Sequence, residues 1–90
     1  MTDRIFLHLC EDWALGADEL QWIVMRRKKR GDQRYWNPEA FIATEKRILR
    51  RVLREKGIEP TPEAARYLSS MPDTFKEWHH LRTAYKVAAE

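Results

Sequence analysis

The chain has 90 residues and a formal net charge of +3, with 43% hydrophobic and 34% charged residues; only about 60–65% of the unfolded surface can be buried at such a length, which predicts one domain and excludes a second core. Four Trp, three Tyr and three Phe exclude a disordered tail, and the longest apolar runs, Ile5–Leu7 and Trp22–Met25, fall far short of the roughly 20 residues of a membrane-spanning helix. The opening MTDRIFLHLCEDW has neither the cationic start nor the long apolar run of a signal peptide, so a cytoplasmic location is expected.

Residues Arg4 to Cys10 alternate, with Ile5, Leu7 and Leu9 on one side and Phe6, His8 and Cys10 on the other, which predicts a strand with one buried face. The acidic residues Glu11, Asp12, Asp18 and Glu19 surround Trp13 and Gly16; this segment reads as a solvated loop, with Trp13 as the exposed ring and a secondary role in repelling nucleic acid. Leu20 to Arg27 is rich in Trp, Ile and Val and predicts a second strand. Tyr35 to Ala43 predicts a third, in which Pro38 requires an edge position or a bulge. Between them, Lys28 to Arg34 contains Gly31-Asp32, so the pair is expected to close as a β-hairpin with a cationic tip.

From Thr44 the period becomes helical. Thr44 is the expected N-cap, Glu45 belongs to the first turn, Ile48, Leu49, Val52 and Leu53 recur at helical spacing, and Gly57 is the stop. Thr61 before Pro62 marks a second start, leading through Ala65 and Leu68 to about Ser70. Pro72 ends this helix, and Phe75, Trp78, Leu81, Arg82 and Tyr85 form one stripe of a third. The expected fold class is α+β, with a small antiparallel sheet of about three strands packed against three helices.

Charge is unevenly distributed. Residues 26 to 56 carry twelve basic side chains against four acidic ones, whereas the flanking segments are net acidic. At about 100° per residue, the first helix places Arg47, Arg50, Arg51 and Arg54 opposite its apolar arc, a like-charge crowding that costs a few tenths of a kcal/mol per neighbouring pair. A solvated face, eased by the dipole at the helix C-terminus, is the bland explanation; interleaved glutamates would have given solubility with less repulsion. The hairpin supplies a second cluster, Arg26, Arg27, Lys28, Lys29, Arg30 and Arg34, beside Tyr35 and Trp36. Guanidinium forks suit phosphate oxygens and rings stack on unpaired bases, so nucleic acid is the first partner to consider. A charged tip that discourages sheet-edge pairing, or a short nuclear import signal, would use the same letters.

Other chemistry-bearing residues form no motif. His79 and His80 are adjacent, so on a helix they diverge by about 100° and cannot share a metal as an i, i+4 pair would. His8 and Cys10 share a strand face, where a thiol beside a histidine reads as packing rather than as a nucleophile. The lone Cys10 permits no internal disulfide. There is no Gly-rich phosphate loop, and no cofactor, metal or small-molecule substrate is expected. Trp22, Trp36 and Trp78 read as core or half-buried rings.

Trp13 to Arg27 (WALGADELQWIVMRR), Trp36, Phe41 to Lys46 (FIATEK) and Leu53 to Gly57 (LREKG) resemble small accessory proteins of phages and prophages of proteobacteria. The resemblance implies a host-cell cytoplasmic accessory role without catalysis, as in proteins that bind and block a host machine, anti-CRISPR inhibitors among them. Two expectations follow. One is a non-enzymatic module whose basic hairpin and arginine face engage nucleic acid, or an acidic surface of a host nucleoprotein or defence complex. The other is a protein-interaction or assembly factor using an aromatic surface around Trp13, Tyr35 and Trp36. Neither involves a membrane.

Overall fold

The computed structural model describes the backbone of residues 5–89 and the side chains of residues 5–82; the expectations placed on Arg4 and on the Tyr85 ring lie outside these. Strands β1 (Ile5–His8), β2 (Trp13–Ala17), β3 (Trp22–Arg30) and β4 (Gln33–Ile42) precede helices α1 (Lys46–Glu55), α2 (Pro62–Ser70) and α3 (Phe75–Ala89). The strands form an antiparallel meander in the order β1-β2-β3-β4. The class is α+β, and the sheet has one strand more than the sequence pattern suggested.

The additional strand is β2, in the segment expected to be a solvated loop. Ala14, Leu15, Gly16 and Ala17 have little β-propensity, but β2 lies between β1 and β3, and Ala14 and Leu15 are both fully buried. Position inside a sheet outweighs intrinsic preference here. Trp13 is consequently half-buried and packed against the core, not the exposed ring expected of it.

Sheet and helices share one apolar cluster. The sheet contributes Leu15, Trp22, Val24 and Ile42, and the helices contribute Leu49, Leu53, Ala64, Leu68, Phe75 and Trp78. Trp22 stands edge-on to Phe75, with ring centroids 5.3 Å apart and planes at 88°, the arrangement that aligns a positive ring edge with a negative face. Ala14, Ile23 and Met25 are buried but lie outside this cluster. Strand alternation places them on the opposite face of the sheet.

Strand β1 is shorter than the alternation from Arg4 to Cys10 implied. Its register shifts between Ile5 and Leu7, so Phe6 sits in an irregularity and both Phe6 and Leu7 pack on the core. One extra residue changes which side chains share a face. His8 is exposed and Cys10 half-buried beside the core, so the expected His8–Cys10 pairing on one strand face is absent. Pro38 has the predicted consequence in both forms: β4 is an edge strand, and its pairing with β3 shifts between Val24 and Met25, beside Pro38.

Helix α1 begins differently from its sequence signal. Glu45, not Thr44, occupies the N-cap and makes no side-chain cap. The first N–H of α1 is satisfied across elements instead, Lys46 N donating to Asp73 O at 2.7 Å, and the first N–H of α3 is satisfied in return, Phe75 N donating to Thr44 O at 2.8 Å. A backbone carbonyl from the neighbouring turn does the work of a capping hydroxyl. The C-terminus follows expectation. Gly57 adopts φ +72°, its N–H donates to Arg54 O at 3.0 Å, and Ile58 N donates to Leu53 O at 2.9 Å, which is a Schellman closure. Thr61 caps α2 by accepting from Ala64 N at 3.2 Å, with Pro62 at the first helical position. At the start of α3, Thr74 Oγ1 accepts from Glu77 N at 3.1 Å.

Candidate nucleic-acid interface

Arg30 pairs with Gln33, so only Gly31 and Asp32 connect β3 to β4. Gly31 has φ +62° and no non-glycine residue has positive φ among the described residues, the pattern of a type II′ turn. The hairpin is therefore tighter than a Lys28–Arg34 loop, and its strands carry the basic residues into a regular ribbon. Strand β2 accompanies β3 only as far as the Trp13–Arg26 pair, with one more bond from Arg27 N to Asp12 O at 2.7 Å. Beyond it, residues 28–35 project as an unaccompanied two-stranded ribbon of about 10–13 Å at roughly 3.3 Å per residue.

Register decides which cations are available. Arg26 lies over the Trp13 ring, 5.5 Å from its centroid. Arg27 is held by four contacts with three residues: its Nη2 donates to Glu11 O at 2.6 Å, its Nε lies 3.9 Å from Asp12, its guanidinium is 5.7 Å from the Trp36 ring, and its backbone N–H donates to Asp12 O. Asp12 thus pairs with a base of the hairpin instead of standing apart as a repelling charge. Lys28 pairs with Glu39 at 3.5 Å. Lys29, Arg30 and Arg34 have no acidic partner among the described residues, and Lys29 and Arg34 are directly cross-strand. Like charges placed opposite one another destabilise a strand pair.

The arginine face of α1 is relieved in part. All four arginines are exposed, but Arg47 pairs with Glu45 and Arg51 with Glu55, at 3.4 and 3.3 Å. The expectation that no carboxylate relieves this face is therefore corrected: Glu45 and Glu55 stand at its two ends, one helical turn or less from their partners. Exposed pairs of this kind contribute roughly 0–1 kcal/mol. Arg50 and Arg54 form no ion pair among the described residues, but they line a groove of about 410 Å³ with Gly57, Glu59, Pro60, Ala65 and Leu68, so one carboxylate shares the groove with them. They face α2, not the hairpin.

Glu39 connects the two basic segments. Its carboxylate accepts from Asn37 Nδ2 at 2.6 Å and pairs with Lys28. Its pKa is lowered from 4.5, first by the Asn37 hydrogen bond and then by Lys28, with a further attraction from Lys56 at the end of α1. The last turn of α1 therefore lies beside the root of the ribbon.

The three rings expected to form one aromatic surface do not do so. Trp13 packs into the core; Tyr35 pairs with Lys28 and Trp36 with Arg27, so alternation puts Tyr35 and Trp36 on opposite faces of the ribbon. The sequence reading missed two aromatic features. Trp36 approaches His8, with centroids 5.7 Å apart, and Phe41 is 57% exposed on the same sheet face. Phe41 was legible only as an apolar strand residue, because its side depends on the irregularity beside Pro38.

No protein family, curated protein or solved structure matches the chain. Among the described residues, no helix is long and apolar enough to cross a membrane, and no three potential metal ligands come together.

Proposed function

We propose that the chain is a non-enzymatic binding module that engages nucleic acid through its basic ribbon. The observation that carries this reading is the Lys29–Arg34 cross-strand pair beside Arg30, three cations on a projecting ribbon with no acidic partner among the described residues. Glu11 and Asp12 line a small concavity with Lys29 and Arg34 but pair with neither, so a polyanion supplies direct counter-charge, and release of its condensed cations drives association. The ribbon admits phosphates from several directions: Lys28 and Arg30 lie on the helix-side face, and Lys29 and Arg34 lie on the other. Arg50 and Arg54, opening on a separate groove, form a secondary patch. A host nucleoprotein or defence complex as the setting, with inhibition as the outcome, rests on the resemblance to phage accessory proteins alone.

The test is oligonucleotide binding against salt. With three to five phosphates neutralised, the log of duplex affinity falls against log salt with a slope of about −3 to −4.5. Lys29→Glu with Arg34→Glu is expected to remove most of this affinity while the protein stays folded. No binding to any oligonucleotide at low salt overturns the reading. Capture from a host lysate with and without nuclease treatment then separates a nucleic-acid bridge from direct protein contact.

A further inference from the structure

The face of the sheet that points away from the helices bears a row of features that the ribbon alone does not explain. Along β4, alternation and register put Arg34, Trp36, Pro38 and Phe41 on this face, opposite Lys29, Arg27, Met25 and Ile23 of β3. Ile23 and Met25 are outside the core cluster that the helices join. Phe41, at 57% exposure, presents a ring where a surface strand would ordinarily carry a polar side chain, and the half-buried Trp36, partly covered by Arg27, and the exposed His8 extend the aromatic surface across the sheet. Lys29 and Arg34, neither in an ion pair among the described residues, stand at one end of the same face, in a small concavity where Arg27, Lys28, Glu11 and Asp12 also lie, so cations outnumber carboxylates there.

We infer that this face is a platform for single-stranded nucleic acid, with bases stacked on Phe41 and Trp36 and phosphates held by Lys29 and Arg34. The inference rests on the proposed nucleic-acid reading and specifies the form of the ligand. Charge and shape both select the occupant. Rings and cations on one flat face suit a chain that offers unpaired bases and phosphates together, whereas a duplex hides its base faces within the stack. An apolar protein partner would have no use for the Lys29–Arg34 pair, and a duplex reader would have none for Phe41. Arg27, lying over Trp36 and anchored by Glu11 and Asp12, fixes the indole as one support of the platform.

The experiment compares a 15-nucleotide oligo-dT with a 15-base-pair duplex, by fluorescence anisotropy at low salt, for the intact chain and for Phe41→Ala and Phe41→Leu. The exposed position of Phe41 keeps both variants folded, as checked by circular dichroism, and the leucine preserves apolar contact while removing the π face. The expected result is preference for oligo-dT, an approximately tenfold loss of that affinity in both variants, and unchanged duplex affinity. Intrinsic Trp fluorescence should be quenched by oligo-dT, with the quenching lost in Trp36→Phe. Equal or stronger duplex binding, insensitive to either Phe41 variant, overturns the platform and leaves the basic ribbon as the interface. Failure of both probes to bind overturns the ribbon reading as well.

Discussion

His8 and Trp36 belong to the two edge strands of a four-stranded sheet, yet their ring centroids lie 5.7 Å apart. Edge strands separated by three spacings stand about 14 Å apart, so the indole must lean across the sheet from β4 while the imidazole leans in from β1. The residues beneath that crossing are small or sheltered: Ala14 is fully buried and Met25 is 9% exposed, although neither joins the core shared with the helices. Replacing Ala14 by Leu is expected to push the two rings apart and destabilise the fold by about 1–3 kcal/mol. Thermal unfolding measures this as a fall of several degrees, since about 1 kcal/mol shifts a domain of this size by roughly 4–8 °C. An unchanged midpoint would mean that the rings do not roof this position.

Gly57 supports a prediction about backbone alone. A Cβ built there would meet nothing within 4 Å, but the residue holds φ +72°. Gly57→Ala therefore carries no steric clash, only the conformational penalty of a left-handed residue, about 1 kcal/mol. Chemical denaturation should show that loss with an unchanged m-value. A larger loss would point to failure of the whole Schellman closure that turns the chain toward Ile58.

Leu49 and Arg50 are neighbours with opposite roles. Leu49 is fully buried in the common cluster and Arg50 is exposed without an acidic partner among the described residues. Leu49→Ala should cost about 2–5 kcal/mol, a large fraction of a small domain's stability. Arg50→Ala should change stability by no more than about 0.5 kcal/mol while weakening any anion bound in the Arg50–Arg54 groove. Urea titrations of the two variants provide the comparison.

The helices were legible because their signals are local. Thr61 with Pro62 and the stop at Gly57 act through atoms within a few residues, and all three behave in the structure as their side chains and backbone freedom require. The start of α1 was misplaced by one residue because its cap is a carbonyl from Asp73, distant in sequence. Strand β2 was invisible because, after Trp13, the residues Ala14 to Ala17 have little strand preference of their own and pair only between two neighbours. The basic ribbon could be read in outline from MRRKKR and Gly31, but not its free cations. Which of them are neutralised depends on Asp12 and Glu39, whose positions follow from the added strand and from the irregularity beside Pro38. The same irregularity sets the side on which Phe41 stands.

Glu39 gives a pH dependence whose sign follows from its surroundings. The Asn37 hydrogen bond, then the charge of Lys28 and that of Lys56, lower its folded pKa below 4.5. The folded state thus holds fewer protons than the unfolded state at intermediate acidity, and the stability it contributes is present above the unfolded value and lost as pH falls through the folded one. Asn37→Ala should raise the Glu39 midpoint toward its ordinary value, read directly by NMR titration of the carboxyl carbon. Lys28→Ala should raise it as well, because both the charge and the hydrogen bond of Lys28 favour the carboxylate. Protonation also releases Lys28 from its 3.5 Å partner, adding a cation to the ribbon, so affinity for an oligonucleotide should increase as pH falls through the Glu39 midpoint. That increase should be absent in Glu39→Gln, which leaves Lys28 unpaired at every pH. An identical rise in Glu39→Gln would assign the effect to another group.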